Sequence, residues 1–516
     1  MNDKPKSKLR WRLLRWGLIG LAVLVTLAAI LITEENWRGK RAWENYQHAA
    51  EARGEQFDLA SLVPPVPDDQ NFFCAPIVAE ALNALRNQNP YSSEPHGTNS
   101  VNRMNFNIYR GDSENWPTQG GYWSKGTLTD LKQWQRYFRN FAETPEGKTN
   151  GFPIAAQPQT PAADVLLALS IYNPALEELR QASLRPDARI PLNYDNGFDD
   201  AGDLLPWLAN LKRCAQFLEL RTLAELQDGQ NEAALADVKL LVRLTDCLRN
   251  QPFLISHLVR IAMTAINLQP IYEGLAQHRW SDAQLKELEQ VLAGQDYLAD
   301  FEFAMRGEKI LAIETFEKQR VTRESKQFEE SSGTNKLVTI SYRFMPRAYF
   351  YQNELAFAQM HQQLIVPLVD LTNRIVAPAA LRETQAAVEA QKKHCFWPYK
   401  AQAVMVIPVI ATVVTKIARI QAQVDLARVA CALERYRLAH DKYPEALDTL
   451  APQFIAMLPH DIINGQPLHY RREANGQFVL YSVGWNETDD GGQVVLGKNG
   501  SVDQKQGDWV WQYPAK

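Results

Sequence analysis

Cysteine is scarce. The 516 residues include five, at positions 74, 214, 247, 395 and 431, widely spaced and odd in number. No Cys-x-x-Cys pair occurs, so neither a zinc knuckle nor a thioredoxin-type redox centre is supported. The five read as small buried side chains, with one disulfide as the alternative. Catalytic fingerprints are missing too: no Gly-x-Ser-x-Gly, no phosphate loop, no dinucleotide-binding glycine pattern and no His-Glu-x-x-His. The nine histidines are scattered; His460 and His469 flank Asp461 without metal-ligand spacing and read as surface or packing residues. Positive charge is in deficit after the first fifteen positions. The chain as a whole carries −4 and residues 1–15 carry +5, which leaves −9 for the remainder. Phosphate contacts need clustered Lys and Arg, so no nucleic-acid partner is expected.

What is present is a globular composition, 46% hydrophobic and 22% charged, which argues against disorder over most of the length. A chain of 516 residues exceeds the size at which one core stops growing, so two or three structural units are expected. Residues 16–33 form an uncharged, mostly apolar run of eighteen, near the ~20 needed to cross a bilayer as a helix. Lys4, Lys6, Lys8, Arg10, Arg12 and Arg15 precede it against the single acid Asp3. That asymmetry predicts a basic cytoplasmic tail over 1–15 and a single-pass anchor over 16–33 in the lipid bilayer of a bacterial inner membrane. The bulk of the chain is then periplasmic. A cleaved signal peptide is the competing reading; the run is longer than a usual signal core, and no Ala-x-Ala site follows directly on it.

Residues 34–67 read as a stalk helix and a linker stiffened by Pro64, Pro65 and Pro67. Residues 68–402 read as a mainly helical body with a loop-rich insertion near 91–160, where Asn, Gly, Ser, Pro and Trp dominate. Around Asp228–Gly229–Gln230 two helical patterns meet as an αα-hairpin, with Phe217, Leu220, Leu235 and Val242 facing inward. The hairpin resembles a tetratricopeptide unit, but no repeat of ~34 residues recurs, so a plain helical bundle is expected. Ser281 with Gln284 reads as a capping box and Gly294 as that helix's stop. The charged segment 317–336 reads as an exposed loop or frayed end. The apolar run 403–414 is short and holds Pro408, so a buried or membrane-facing helix is expected rather than a second crossing.

Residues 403–516 read as that apolar helix leading into a small α+β head. Leu426, Val429, Leu433 and Tyr436 place one apolar stripe along a helix, with Arg428 and Arg435 beside it. A short helix is expected around 445–451. "LHYRR" and "QFVLYSVGW" then form a hairpin through Asn475–Gly476, and "QVVLG" offers a third strand. The economical solution is a helix lying on a three-stranded antiparallel sheet. The fold class expected for the whole is therefore mainly α: one transmembrane helix, an extracytoplasmic helical bundle and a small α+β head.

The ordered series Leu433-Glu434-x-Tyr436-Arg437, Tyr443-Pro444, Leu458-Pro459-x-Asp461, Asn464-Gly465-x-Pro467, Tyr470, Phe478-x-Leu480-Tyr481-Ser482-x-Gly484 and Asp489-Asp490-Gly491 resembles the globular head of the type II secretion major pseudopilins. It covers residues 420–516 only. The leader and hydrophobic start of a pseudopilin have no counterpart before residue 403, so the resemblance implies the head fold and not the fibre. It also implies calcium in the loop after the "LYS-x-G" strand, with Asp489 and Asp490 as ligands and Asn486 as a weaker one, a donor set that suits a hard cation. The residues themselves leave a Gly-rich turn with solvated acids as the alternative. A catalytic acid pair is disfavoured, because adjacent acids on an extended strand face opposite ways. The sequence thus leads to an anchored envelope protein with a binding or scaffolding role and other envelope proteins as expected partners. The alternative is an anchored hydrolase whose site lies between the helical body and the 91–160 region.

Overall fold

The apolar run of residues 16–33 lies inside one continuous helix, α1 (Lys6–Glu51). A computed structural model describes residues 6–87, 101–117, 120–194, 201–322, 345–393 and 398–514. After α1 come α2 (Leu59–Leu62), α3 (Pro76–Asn87), α4 (Leu131–Glu143), α5 (Pro145–Asn150), α6 (Pro161–Leu169), α7 (Asn173–Ser183) and α8 (Ala201–Gln227). There follow α9 (Asn231–Asp246), α10 (Leu254–Ala276), α11 (Asp282–Ala293), α12 (Tyr297–Thr322) and α13 (Arg347–Met360). The last helices are α14 (Pro378–Lys393), α15 (Ala401–Ala411) and α16 (Val413–His440). Among the described residues strands are confined to the end of the chain: β1 (His469–Arg472), β2 (Phe478–Ser482), β3 (Val494–Leu496), β4 (Val502–Gly507) and β5 (Trp509–Gln512). The protein is mainly helical with a small antiparallel sheet, as its patterning predicts. Residues 91–100, Cys395 and most of the charged segment 317–336 lie outside the described residues.

The described residues fall into two compact units, each discontinuous in sequence. One draws on 1–57, 309–365 and 385–409. Here α1 leaves Trp16, Leu21, Leu24, Ile30 and their apolar neighbours exposed. Eighteen helical residues extend roughly 27 Å, close to the hydrocarbon thickness of a bilayer, so this helix is long and apolar enough to cross a membrane. Past residue 35 the same helix becomes a packed one. Asn36 accepts the backbone N–H of Ala348 at the start of α13 (2.7 Å), and Trp43 and Ala50 are buried. Gly39 lets the two backbones approach: a Cβ there would stand 3.4 Å from the Cα of Ala348. Lys309 on α12 donates to Glu55 (2.7 Å) and lies over the Phe57 ring.

The other unit draws on 58–308, 366–384 and 410–516. The expected αα-hairpin is α8 and α9, joined at Gly229 with φ +81°; Phe217, Leu220 and Leu235 are buried and Val242 half-buried. The capping box of Ser281 and Gln284 opens α11, which ends before Gly294. Two helices fall where loops are expected, α4 and the short α5; the longer is α4, over residues 131–143. Its inward face is aromatic, with Trp134, Tyr137, Phe138 and Phe141 buried, and Asp130 caps it by accepting from Lys132 N–H. The 3.6-residue periodicity was there to be read, but the polar and glycine-rich flanks dominate the composition of that window.

The stripe on α16 finds its support on three sides. Leu426, Val429 and Leu433 are fully buried, and the helix packs against α10, α11 and the sheet strands β2 and β5. Burial of each such side chain contributes about 1.5–3 kcal/mol. Arg428 and Arg435 sit at the edge, pairing with Glu289 (3.0 Å) and Asp282 (2.8 Å) of α11. The sheet has the order β1-β2-β5, antiparallel, with His469 opposite Tyr481 and Ser482 opposite Trp509. Its third strand is thus "WVWQ". "QVVLG" instead supplies β3, which pairs with β4 in a separate hairpin. The β1–β2 turn also differs from a two-residue loop. Glu473 N–H bonds to Gln477 O, so three residues, Ala474–Gly476, make the connection, with Gly476 at φ +80°. The short helix expected over 445–451 is a 3₁₀ turn, Leu447–Leu450.

Every residue of β2 is buried, because both faces are covered. Phe478 packs edge-on against Tyr443 on the side of α16. On the opposite face Val479 and Tyr481 form a small core with Val510, which Val494 of the β3–β4 hairpin covers.

Candidate functional site

The chain leaves β2 at Ser482 and turns back over the sheet, so that Gly492 (φ +78°) lies against Val479 and Tyr481. This fold brings Asn486, Asp489 and Asp490 into one turn, with the two acids diverging. Asp490 accepts from the Asn486 amide (2.7 Å). Asp489 accepts from Gly491 N–H (2.9 Å) and from the Tyr481 hydroxyl (3.0 Å), with His469 Nδ1 3.4 Å away. The Gly491 amide and then the Tyr481 hydroxyl hold the Asp489 carboxyl below its ordinary range. A fourth residue joins them: Asp508, buried between β4 and β5, accepts from Gly492 N–H (2.6 Å) and Asp490 N–H (3.3 Å). Burial pushes the Asp508 carboxyl up, the two amides oppose this, and Asp490 and Asp489 add to the rise by repulsion. Asp508 is eighteen residues from its partner, and no local spacing signals it. Among the described residues no group of three or more His, Cys, Asp or Glu side chains is arranged to hold a metal.

A second site lies in the helical part of the same unit, and sequence reasoning missed it. Gln269 and Glu273 stand one turn apart on α10. Gln269 accepts from Trp123 N–H (2.6 Å) and donates to Thr127 O (3.1 Å), while Glu273 accepts from Thr129 N–H (2.8 Å). These bonds fasten the loop 121–129 onto α10. Gly121 is required at its start, since a Cβ there would collide with Gln269, Thr129 and Glu273.

Under this loop is a cavity of about 360 Å³, within the usual range of ligand pockets. Its apolar wall is Ile261, Ala265 and Ile266 of α10 with Ile420 of α16. Ile261, Ala265 and Ile266 keep partial exposure while Met263, Thr264, Asn267 and Leu268 beside them are buried, so that exposure faces the cavity. The polar wall is Lys416, Arg419 and Gln423, spaced three and four apart on α16 and therefore on one face, with Glu219 from α8. Burial, then repulsion from Glu273, pushes the Glu219 carboxyl up to about 8, so it carries a proton at neutral pH. Burial lowers the basicity of Arg419, against the pull of the Tyr122 hydroxyl, and the Arg419 Nε has no hydrogen-bond partner among the described residues. Gln423, only 7% exposed, makes no side-chain hydrogen bond there either.

The location expected for a hydrolase site, between the helical body and the 91–160 region, does hold this cavity, and Ser124 lines it. Ser124 makes no side-chain hydrogen bond among the described residues, and no histidine lines the cavity. A nucleophile and its base stand within hydrogen-bond reach of one another in such enzymes. The lining contributors come from residues 121–124, 219, 261–269, 416–423 and 504, a separation that no sequence motif bridges. The four described cysteines are unpaired, and Cys214, Cys247 and Cys431 are buried away from either site. Compared with known proteins, the chain matches no family model, no curated protein and no solved structure.

Proposed function

We propose that the chain is a membrane-tethered binding protein of the bacterial envelope, held in the inner membrane by residues 16–33 with its N-terminus cytoplasmic and the bulk of the chain in the periplasm. The observation that carries the binding role is the cavity beneath the loop 121–129, whose lining sets isoleucines against Lys416, Arg419 and Gln423, with Arg419 Nε buried and without a hydrogen-bond partner among the described residues. Buried polar groups are normally paired, and an unpartnered one that lines a cavity is placed to bond a ligand. The basic residues before the apolar run support the orientation. A periplasm-active reporter fused to the C-terminus is expected to be active; activity of only a cytoplasmic reporter overturns the topology. For binding, a panel of metabolite-sized compounds is expected to include ligands that raise the melting temperature of the full chain, and Ala265→Trp, which fills the cavity, abolishes those shifts. Shifts that survive the substitution place the binding elsewhere.

The ordered motifs from Leu433 to Gly491, together with α16 lying on the β1-β2-β5 sheet, support a pseudopilin-like head, and with it contacts to other envelope proteins. A calcium reading of the 486–492 loop draws on the same resemblance and on Asp508, whose repulsion by Asp490 and Asp489 a cation would relieve. Asn486, Asp489 and Asp490 are the ligands proposed. Calcium at a hundred times its dissociation constant stabilises the native state by about 2.7 kcal/mol. A melting curve of the full chain is therefore expected to move upward in millimolar calcium relative to chelator, and Asp490→Ala to lose the shift; no shift overturns the calcium reading.

A further inference from the structure

The cavity's lining is sorted by chemistry. One wall, from α10, is hydrocarbon: Ile261, Ala265 and Ile266. The wall facing it, from α16, carries two cations and an amide, with exposed Lys416 at the mouth and Arg419 and Gln423 deeper. A ligand that satisfies both walls has an apolar body and an anionic end. Its charge is bounded as well. Glu219 lines the cavity and Glu273 stands behind it, near enough to repel it. A singly charged carboxylate accepts from Arg419 and from the protonated Glu219 together, while Glu273 behind Glu219 opposes the second negative charge of a phosphate monoester.

We infer that this cavity binds a small amphiphilic carboxylate, its carboxylate between Arg419, Lys416 and Glu219 and its hydrocarbon along Ile261, Ala265 and Ile266. The inference rests on the binding reading above and narrows it to one ligand class. The carboxylate supplies an acceptor to the unpartnered Arg419 Nε, and a carboxylate oxygen or the bound water beside it reaches the Gln423 amide. The hydrocarbon covers an apolar stripe that the fold leaves open. Buried charge-assisted bonds of this kind are roughly twice as strong as neutral ones, so the guanidinium is the principal determinant of affinity.

The test uses the full chain in lipid nanodiscs and four soluble probes of one chain length: hexanoate, hexanol, hexylamine and hexyl phosphate. Titration calorimetry is expected to rank hexanoate tightest. Arg419→Gln is expected to weaken hexanoate at least tenfold. Lys416→Gln, at an exposed position where folding is not at stake, is expected to weaken it about threefold, with hexanol unaffected by either change. Hexanol binding as tightly as hexanoate overturns the carboxylate inference and leaves the cavity as an apolar site. Hexylamine or hexyl phosphate binding tighter than hexanoate overturns it likewise and reassigns the charge preference. Failure of all four probes to bind overturns the inference and removes the support for a binding cavity with it.

Discussion

Arg260→Ala is expected to destabilise the second unit by about 3–5 kcal/mol, the usual cost of removing one partner from a buried ion pair. Arg260 is fully buried on α10. Its guanidinium pairs with Asp300 on α12 and with Asp246 at the end of α9 (3.3 Å). It donates to the Gln295 side chain (2.7 Å) and stacks 4.3 Å from the centroid of Tyr297. One side chain thus joins the C-terminal end of α9, the middle of α10 and the start of α12. Truncation leaves Asp300, itself buried, with only the half-exposed Arg249 at 3.7 Å as a counter-ion. Burial already pushes the Asp300 carboxyl up, with Arg260 the first group opposing that rise.

The pH dependence follows from that direction. A carboxyl whose native value lies above its unfolded value holds more protons in the native state, so its contribution is fully present below the unfolded value and is lost as pH rises. Without Arg260 the Asp300 value climbs further, and the deficit of Arg260→Ala is expected to widen between about pH 4 and pH 7 at up to ~1.4 kcal/mol per unit. Urea midpoints across that range read it directly. Adding Asp300→Asn to Arg260→Ala removes the stranded charge and is expected to flatten the pH dependence and restore part of the loss. A double-mutant cycle with coupling near zero would show that the pair does not act as described.

Much of the local structure was legible, and the parts that were not have a common cause. The αα-hairpin around Gly229, the capping box at Ser281 and strands β1 and β2 all rest on contacts within a few residues, which spacing and turn chemistry encode. "QVVLG" offers the third sheet strand because it follows next, after the glycines. β5 takes the place instead because Trp511, fully buried, meets Trp123 of the loop and Tyr272 of α10 (ring centroids 5.1 and 5.5 Å). Those partners lie more than two hundred residues upstream, where no strand pattern points to them. The cavity was hidden for the same reason, since α8, α10, α16 and the loop 121–124 each contribute residues that look ordinary in sequence. Of the loop "NETDDGG", the sequence revealed the turn and its acids but not Asp508.

Asp461→Ala is expected to cost about 3–4 kcal/mol, and its effect reaches the loop after β2. Asp461 is 1% exposed and its carboxylate accepts from Ser482 Oγ (2.9 Å), Val483 N–H (2.9 Å) and Ile463 N–H (3.0 Å). It therefore ties the turn before β1 to the last residue of β2. Hydrogen bonds to a charged acceptor are worth ~1.5–3 kcal/mol each, and the three are not additive, but truncation also strands their buried donors. Asp461→Asn is expected to lose about half as much, because its amide offers a donor where one of the three sites needs an acceptor. Hydrogen exchange at Val483 localises the effect: its protection is expected to fall in Asp461→Ala by more than that of residues on α8. Because β2 carries the chain into the 486–492 turn, loosening its end also removes the platform of Tyr481 and Val479 on which Gly492 and Asp489 rest. Any calcium shift is then lost in Asp461→Ala together with stability, whereas Asp490→Ala loses the shift alone. A loss under about 1 kcal/mol in Asp461→Ala, with Val483 protection unchanged, would show that this carboxylate does not fasten the strand.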